Sequence, residues 1–294
     1  MPVAIHIAPH PDDELLGAGG TLVALAEHGW EVVAFTCSLG RPEQHARRRS
    51  ELNAACAAVG FSPVVAKGPP RLSSADDLAL AEDDLADQLR EAIAAVAPAL
   101  VVGPSPHDAH PAHELVGRAT LRALDHAGPR PRWWIWHLWG EAALPTLYVS
   151  LQTSVLDRVA DALRHHAGEL ARADYQRLVH ARAEAEAVLG AERVFGWGAP
   201  ATGAARAELL TEILTDRGAG WPLAAARFLD PSDPLESATA RGIDAGVWLR
   251  AIGPRASLVA QQPRRQSVRR TAAAPRARGP SRSPDRPRGT PDAT

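Results

Sequence analysis

Short apolar runs alternate with longer amphipathic stretches over the first two thirds of the chain. Continuous apolar runs of a few residues are typical of buried strands, whereas apolar residues spaced three and four apart are typical of helices. The pattern predicts strands at 3–8, 31–37, 63–66, 99–102 and 146–149. It predicts helices at 15–28, 44–59, 78–96, 113–126, 154–170 and 174–189.

The order of these elements predicts the fold class. Strands that alternate with helices form α/β proteins, so we expect a Rossmann-like, mostly parallel sheet with helices on both faces. In such sheets ligands bind beyond the carboxyl ends of the strands, near a topological switch point. Residues 201–258 contain helical and proline-containing pieces that could cover the sheet or build a homo-oligomer contact.

Length and composition indicate one domain with a tail. The chain has 294 residues, of which 46% are hydrophobic, and we expect a single domain over residues 1–255. Residues 256–294 are rich in Arg, Pro and Ser, so we expect them to be disordered. Because no aromatic residues separate the charges of this tail, we do not expect it to bind nucleic acid. The net charge of −2 argues against DNA binding by the rest of the chain.

The sequence also predicts the compartment. It contains no run of the roughly 18 apolar residues that a membrane span requires. The start, Met1-Pro2-Val3, leads directly into the first strand without the basic region of a signal peptide. Cys37 and Cys56 are too few for a disulfide framework, and we expect Cys37 to be a core thiol. We therefore expect a cytoplasmic protein without a membrane span.

Residues 8–14, Ala-Pro-His-Pro-Asp-Asp-Glu, place an imidazole and three acids directly after the first predicted strand. His10 offers a neutral nitrogen, and the adjacent Asp12 and Asp13 must point in different directions. One of these carboxylates can therefore bind a cation while the other takes a proton. A catalytic zinc site needs three ligands of this kind and an open position. By itself, such a loop is more often a solvated turn or a helix cap.

A second group of candidate ligands lies in residues 105–114, Ser-Pro-His-Asp-Ala-His-Pro-Ala-His-Glu, after the strand predicted at 99–102. His110 and His113 alone could equally be surface residues. Because both motifs follow strands of one predicted parallel sheet, we expect them to meet at the same edge. A shared site is then the better interpretation.

Three ordered motifs carry a family resemblance. Residues 10–14 (His-Pro-Asp-Asp-Glu), 48–52 (Arg-Arg-Ser-Glu-Leu) and 110–113 (His-Pro-Ala-His) together resemble the PIG-L/LmbE family of zinc-dependent N-acetylglucosaminyl deacetylases. The likeness covers about residues 3 to 200. It implies an LmbE-like α/β fold.

The resemblance implies a role for each matching residue. The implied metal ligands are His10, Asp13 and His113. Asp12 would be the general base on the metal-activated water, and His110, in its protonated form, the acid or the stabiliser of the oxyanion. A His and carboxylate set suits Zn²⁺, but Fe²⁺, Co²⁺ or Mn²⁺ can occupy such sites.

One position departs from the family pattern, because Ala112 stands where the family usually has an Asp. Such a carboxylate orients a neighbouring histidine, and its loss typically costs roughly 10 to 100-fold in activity or affinity. Asp108, two residues before His110, could substitute for it. Arg48 resembles a position that lines the sugar pocket, although it could equally pair with Glu51 on the helix surface.

Aromatic and histidine side chains outside the motifs have simpler interpretations. Period-2 alternation in residues 132–140 predicts that Trp134 and Trp136 share one face of a strand and that Trp133 lies on the other. We expect core positions for them, with a sugar-stacking surface as the alternative. His165 and His166 fall in a predicted helix, and we expect surface or interface positions rather than substrate contacts.

Two classes of function fit these residues. A nicotinamide-binding protein is excluded because Leu22 stands where Gly-x-Gly-x-x-Gly needs its third glycine, and because the acidic loop would repel a pyrophosphate. The first class is a zinc-dependent hydrolase that removes an N-acyl group, above all acetyl, from an amino sugar or a sugar-containing small molecule. The second is a catalytically impaired relative with a binding or regulatory role. The completeness of the catalytic set favours the enzyme.

Overall fold

The computed structural model describes residues 1–125, 131–215, 220–236 and 238–255, all of which belong to one compact unit. The strands are β1 (Val3–Ala8), β2 (Glu31–Thr36), β3 (Ser62–Val65), β4 (Leu100–Pro104), β5 (Arg132–Trp136), β6 (Leu147–Leu151), β7 (Arg206–Ile213), β8 (Pro222–Ala224), β9 (Arg227–Phe228) and β10 (Ala240–Asp244). The helices are α1 (Asp13–Leu16), α2 (Gly19–Glu27), α3 (His45–Val59), α4 (Ala75–Val96), α5 (Pro111–Asp125), α6 (Thr153–Leu163), α7 (Ala167–Leu170), α8 (Tyr175–Phe195) and α9 (Gly246–Arg250). A 3₁₀ turn, Pro42–Gln44, leads into α3.

The central sheet is parallel in its first half, with the strand order β3-β2-β1-β4-β5. From β1 the chain builds outward first to β2 and β3 and then, on the other side, to β4 and β5, so the topological switch point lies between β1 and β4. β7 joins β5 antiparallel and is followed by β8 and β10, while β6 pairs with β7 and β9. The predicted Rossmann-like α/β fold is confirmed.

Hydrophobic cores cover both faces of the sheet. On β5 the side chains of Trp134 and Trp136 pack into one core, together with residues of α2, α3 and α6. Trp133 and Ile135 pack into the other core, together with residues of α4 and α5. All four side chains are 0% exposed, so the predicted alternation and the core positions are confirmed. A buried indole removes a large apolar area from water, which makes β5 a main anchor of both cores.

The helix predicted at 15–28 is two helices, α1 and α2, separated at Gly17 and Ala18. The six-membered ring of Trp136 lies so close to Gly17 that a Cβ atom there would come within 2.6 Å of it. The amino-terminal end of α2 is capped by Glu208, which accepts the N–H groups of Gly20 at 2.9 Å and Thr21 at 2.8 Å. Both causes are distant in sequence, so the apolar pattern could not show this break.

Two further helix predictions differ from the structure. The helix predicted at 154–170 is interrupted between α6 and α7, where His166 turns inward and its carbonyl accepts the N–H groups of Glu169 and Leu170. The helix predicted at 174–189 continues to Phe195 as α8. Residues 201–258 were expected to contain helical pieces; their described part contains the short helix α9 and also the strands β7 to β10, which the sequence did not predict.

Several predictions lie outside what the structure tests. The disordered tail at residues 256–294 and the end of the helix predicted at 113–126 fall outside the described residues. The single domain over 1–255, the homo-oligomer contact, the cytoplasmic location and the absence of nucleic-acid binding stay predictions. Across the described part of the chain, no helix has the length and apolar character needed to cross a bilayer. Cys37 and Cys56 are free and buried.

Candidate metal centre

The two predicted motifs meet at the switch point of the sheet. β1 and β4 are neighbouring parallel strands, so their carboxyl ends lie side by side. The loop after β1 carries His10 and Asp12 and runs into α1, which begins at Asp13. The loop after β4 carries Asp108 and runs into α5, whose first turn contains His113. Neighbouring strands therefore bring together residues that are about a hundred positions apart.

Three of these side chains form a group that could hold a metal ion. One ligand atom each from His10, Asp13 and His113 lies within 4.8 Å of the others. Nδ1 of His10 is 3.3 Å from one Asp13 oxygen, and Nε2 of His113 is 3.4 Å from the other. Two imidazole nitrogens and one carboxylate oxygen are a donor set that Zn²⁺ uses in catalytic sites, so the residues present fit a zinc ion.

Asp12 has an unusual backbone. Its φ is 109°, a left-handed value that costs a non-glycine residue roughly 1–3 kcal/mol. The conformation is held because the Asp12 N–H donates to Oε2 of Glu14 at 2.8 Å, while the Asp12 carbonyl accepts the N–H groups of Leu15 and Leu16 at the start of α1.

The two adjacent carboxyl groups have opposite pKa shifts. Burial, together with the negative charges of Asp13, Glu169 and Glu14, raises the pKa of Asp12 well above its usual value, which Arg48 only partly offsets. Burial also acts to raise the pKa of Asp13, but its contacts with His113 and His10 outweigh this and lower it well below the usual value. Such a difference suits one carboxylate that binds a cation and one that exchanges a proton.

His113 is held by a buried carboxylate that the family pattern does not predict. Its Nδ1 is 2.7 Å from Oδ2 of Asp108, which orients the ring so that Nε2 faces Asp13. Burial alone would lower the pKa of His113, but the carboxylates of Asp13 and Asp108 raise it to about 10. Asp108 was expected as a possible substitute for the missing Asp, and in the structure the histidine that it contacts is His113.

His110 lies beside the group without a carboxylate partner of its own. Its ring centroid is 4.4 Å from that of His113 and 5.9 Å from that of His10. Burial, followed by repulsion from these two histidines, lowers the pKa of His110 to about 3. Within the described part of the chain, its buried Nδ1 has no hydrogen-bond partner. A protonated His110 is therefore disfavoured at neutral pH, and a neutral imidazole is the available form.

Arg48 braces the loop that carries Asp12. Its side chain is buried, donates to the Pro11 carbonyl at 3.2 Å and forms an ion pair with Glu169 at 3.1 Å. The alternative pairing with Glu51 is wrong, because Glu51 pairs with Arg47 at 2.5 Å. A sugar-pocket role for Arg48 stays a prediction.

His166 is a residue whose role the sequence did not reveal. It was expected at the surface or an interface, but it is 0% exposed and its Nε2 lies 2.5 Å from Oε1 of Glu14. His165, its neighbour, is exposed as expected. Glu14 thus links His166 to the backbone of Asp12. The sequence does show Glu14 shortly after a strand, and a carboxylate buried there would need a partner. Nothing in the neighbouring sequence identified that partner as His166.

The comparison with protein families decides the resemblance. Residues 5–124 match the family model described as PIG-L: GlcNAc-PI de-N-acetylase. The resemblance to the PIG-L family is confirmed. The PIG-L match contains both loops of the candidate metal centre, but it ends before His166, Glu169 and Trp139.

A curated relative adds to the PIG-L match. It comes from Bacillus cereus, is named "Probable N-acetyl-alpha-D-glucosaminyl L-malate deacetylase 2", and is 30% identical over 135 residues. This stretch is 40% of the present chain and 59% of the relative, so the chain matches less than two thirds of the relative's length.

Solved structures share the fold of this chain. N,N'-diacetylchitobiose deacetylase from Pyrococcus horikoshii superposes with a TM-score of 0.56 at 17% identity, covering 72% of this chain and 84% of that one. The 4-carboxy-2-hydroxymuconate hydratase from Pseudomonas putida KT2440 superposes with a TM-score of 0.52 at 22% identity, covering 73% and 97%. Since one is a deacetylase and the other a hydratase, the fold alone does not determine the reaction.

Proposed function

We propose that the protein is a metal-dependent hydrolase that removes an N-acyl group, in the first instance acetyl, from an amino sugar or a sugar-containing small molecule. The observation that carries the proposal is the convergence of His10, Asp13 and His113 with Asp12 beside them. Their ligand atoms lie within 4.8 Å of one another, and the two adjacent carboxyl groups have opposite pKa shifts.

In the proposed site, His10, Asp13 and His113 hold the metal. A zinc ion bound there would lower the pKa of a water molecule and polarise an amide carbonyl. Asp108 keeps the His113 ring oriented through its contact at 2.7 Å. Asp13 stays ionised as a ligand, because its neighbours hold its pKa well below the usual value.

Proton transfer in this proposal is the task of Asp12. Its raised pKa makes its carboxylate a better proton acceptor than an ordinary Asp, so it can take a proton from the attacking water and return it to the leaving amine. His110, as a neutral imidazole, can donate an N–H hydrogen bond to the developing oxyanion. We do not propose a protonated His110 as the acid, because its pKa is lowered to about 3.

The substrate proposal follows the names of the relatives. The name of the Bacillus cereus relative suggests N-acetyl-α-D-glucosaminyl L-malate as the first conjugate to test. The name of the Pyrococcus horikoshii structure suggests N,N'-diacetylchitobiose as the second. Both carry an acetamido group on a sugar, which is the chemistry that the proposed site would cleave.

Metal content and amine release, measured on the same preparations, test the proposal. We expect about one zinc per chain by elemental analysis and amine release from at least one of these substrates. Asp12→Ala should keep the metal and lose activity by roughly 10² to 10⁴-fold, because it removes the proton acceptor but no ligand. His113→Ala should lose both. His165→Ala, an exposed histidine, is the matched control and should change neither.

Each contrary outcome has a distinct meaning. Bound metal without amine release from any acylated sugar would favour the catalytically impaired relative with a binding role. Absence of metal from the wild-type chain after reconstitution would contradict the site itself.

A further inference from the structure

Trp139 lies at the rim of the candidate metal centre and is partly open to solvent. Its side chain stacks on His110, with ring centroids 5.8 Å apart and an interplanar angle of 24°. Trp139 is nevertheless 51% exposed, whereas Trp133, Trp134 and Trp136 on the preceding strand are 0% exposed. Part of the indole therefore covers His110, and the remainder is available to a ligand that enters the site.

The loop that carries this indole is anchored to a residue of the centre. One oxygen of Asp108, which is 0% exposed, accepts three consecutive backbone N–H groups: Leu138 at 2.6 Å, Trp139 at 3.1 Å and Gly140 at 3.2 Å. The other oxygen of Asp108 contacts His113. A single buried carboxylate thus fixes both the candidate ligand and the backbone of Trp139.

The backbone of this loop also lies close against the loop after β4. A Cβ atom at Gly140 would lie 3.2 Å from the His107 carbonyl and 3.3 Å from the Asp108 carbonyl carbon, which leaves little room for the loop to shift. Single exposed apolar residues are common on protein surfaces and need no function. Trp139 differs because its backbone is fixed beside candidate catalytic groups, so its indole is ordered before a ligand arrives. Such preorganisation lowers the entropy cost of binding.

We propose that Trp139 is a specificity-determining residue whose exposed indole packs against the ring of the sugar that carries the scissile acyl group. This inference rests on the proposed function. An acetamido group bound between His110 and the candidate ligands would place its sugar ring near the indole, whose ring centroid is 5.8 Å from that of His110. The C–H face of a pyranose ring is apolar, and a rigid aromatic surface offers it a large contact area at low entropy cost.

Sugar binding by the metal-reconstituted Asp12→Ala protein tests this proposal without turnover. The probes are N-acetylglucosamine and N,N'-diacetylchitobiose, and the readout is the ¹⁹F NMR signal of 5-fluorotryptophan incorporated into the chain. We expect one indole signal to shift on titration and to be absent after Trp139→Phe. Trp139→Ala should weaken sugar binding about tenfold, as measured by calorimetry. Trp139→Phe should restore part of the lost affinity. Trp197→Ala, which removes an indole that is 94% exposed, is the matched control and should bind like its parent.

Kinetics of the otherwise wild-type enzyme separate recognition from an effect on His110. Trp139→Ala should raise KM about tenfold and leave kcat within about threefold, with unchanged zinc content. Equal sugar affinity with and without the indole would overturn the proposal while leaving the hydrolase intact. So would a loss of kcat at unchanged KM, since the indole would then act only as a cover for His110. If the wild-type chain binds no sugar and releases no amine, the proposed function fails and this inference fails with it.

Discussion

At the residue scale, the candidate centre depends on buried charges that lie outside the ligand set. Glu14 is 0% exposed, and its two oxygens are divided between the Asp12 N–H and the ring of His166. Burying a carboxylate without a partner is costly, so His166 stabilises the loop even though it touches none of the candidate ligands. Two more buried groups, Arg48 and Glu169, brace the same loop through the Pro11 carbonyl.

Replacement of His166 tests the importance of this pair. His166→Ala should lower the free energy of unfolding by about 3–5 kcal/mol, because it removes the ion-pair partner of the buried Glu14 carboxylate and leaves only the Asp12 N–H on its other oxygen. His166→Gln, which can still donate a hydrogen bond, should cost less. The measurement is denaturant unfolding of the three metal-free proteins at one pH.

The neighbouring histidine provides a matched control for this prediction. His165 is exposed, and His165→Ala should change the free energy of unfolding by less than about 0.5 kcal/mol. If His166→Ala were as mild as His165→Ala, the pairing with Glu14 would contribute little to stability.

At the element scale, α8 connects the edge of the sheet that carries the candidate metal centre to the antiparallel half of the sheet. Arg182 donates to the carbonyl groups of Leu16 at 3.3 Å and His137 at 2.5 Å, and it also bonds Glu186 at 3.2 Å. Glu186 in turn accepts the N–H of Leu209 on β7 at 2.9 Å. One helix therefore connects the end of α1, the segment after β5 and β7.

Glu186, whose side chain on this helix is only partly exposed, leads us to expect a pH dependence. Burial raises its pKa from the ordinary glutamate value of 4.5 to about 7, although Arg182 and the Leu209 amide act in the opposite direction. Between pH 4.5 and pH 7 the folded state therefore binds more protons than the unfolded chain. Glu186 thus makes the free energy of unfolding fall as pH rises through this range. The loss should reach about 2–3 kcal/mol by pH 7.5.

The variant Glu186→Gln isolates this contribution. The free energy of unfolding of the wild type minus that of Glu186→Gln should fall by about 2–3 kcal/mol between pH 4.5 and pH 7.5. Glu184→Gln, which alters a mostly exposed carboxylate on the same helix, should give a difference that hardly changes with pH. Parallel pH curves for wild type and Glu186→Gln would contradict the raised pKa.

At the scale of the whole molecule, the part that matches the PIG-L family does not complete the centre by itself. Residues 5–124 supply the candidate ligands, but β5, the amides that bond Asp108 and the partner of Glu14 all come later in the chain. Without these later segments, β4 would lose its neighbour β5, and both cores would lose the tryptophans of β5.

Two truncations test this dependence. A chain of residues 1–125 should show no cooperative unfolding transition and no tight zinc binding. A chain of residues 1–261, which keeps the compact unit Met1–Gln261, should unfold within about 2 °C of the full-length protein and bind the same amount of zinc. Stable, zinc-binding protein from residues 1–125 would show that the later elements are dispensable for the centre.

The sequence determined the elements of the parallel sheet and the identity of the candidate ligands, because both are recorded locally. Apolar runs and helical periodicity depend on neighbouring positions, and the two motifs each follow a strand, so their meeting at the switch point could be predicted. The alternation of Trp133, Trp134 and Trp136 between the two cores was predictable for the same reason.

Only the tertiary structure decided which groups support that centre. The bond between His166 and Glu14 joins residues 152 positions apart, and the cap that Glu208 provides at Thr21 spans 187 positions. The pairing of Asp108 with His113 depends on how α5 is placed against the loop after β4. A local pattern records which face of an element is apolar, but a buried polar group finds its partner only when the whole chain has packed.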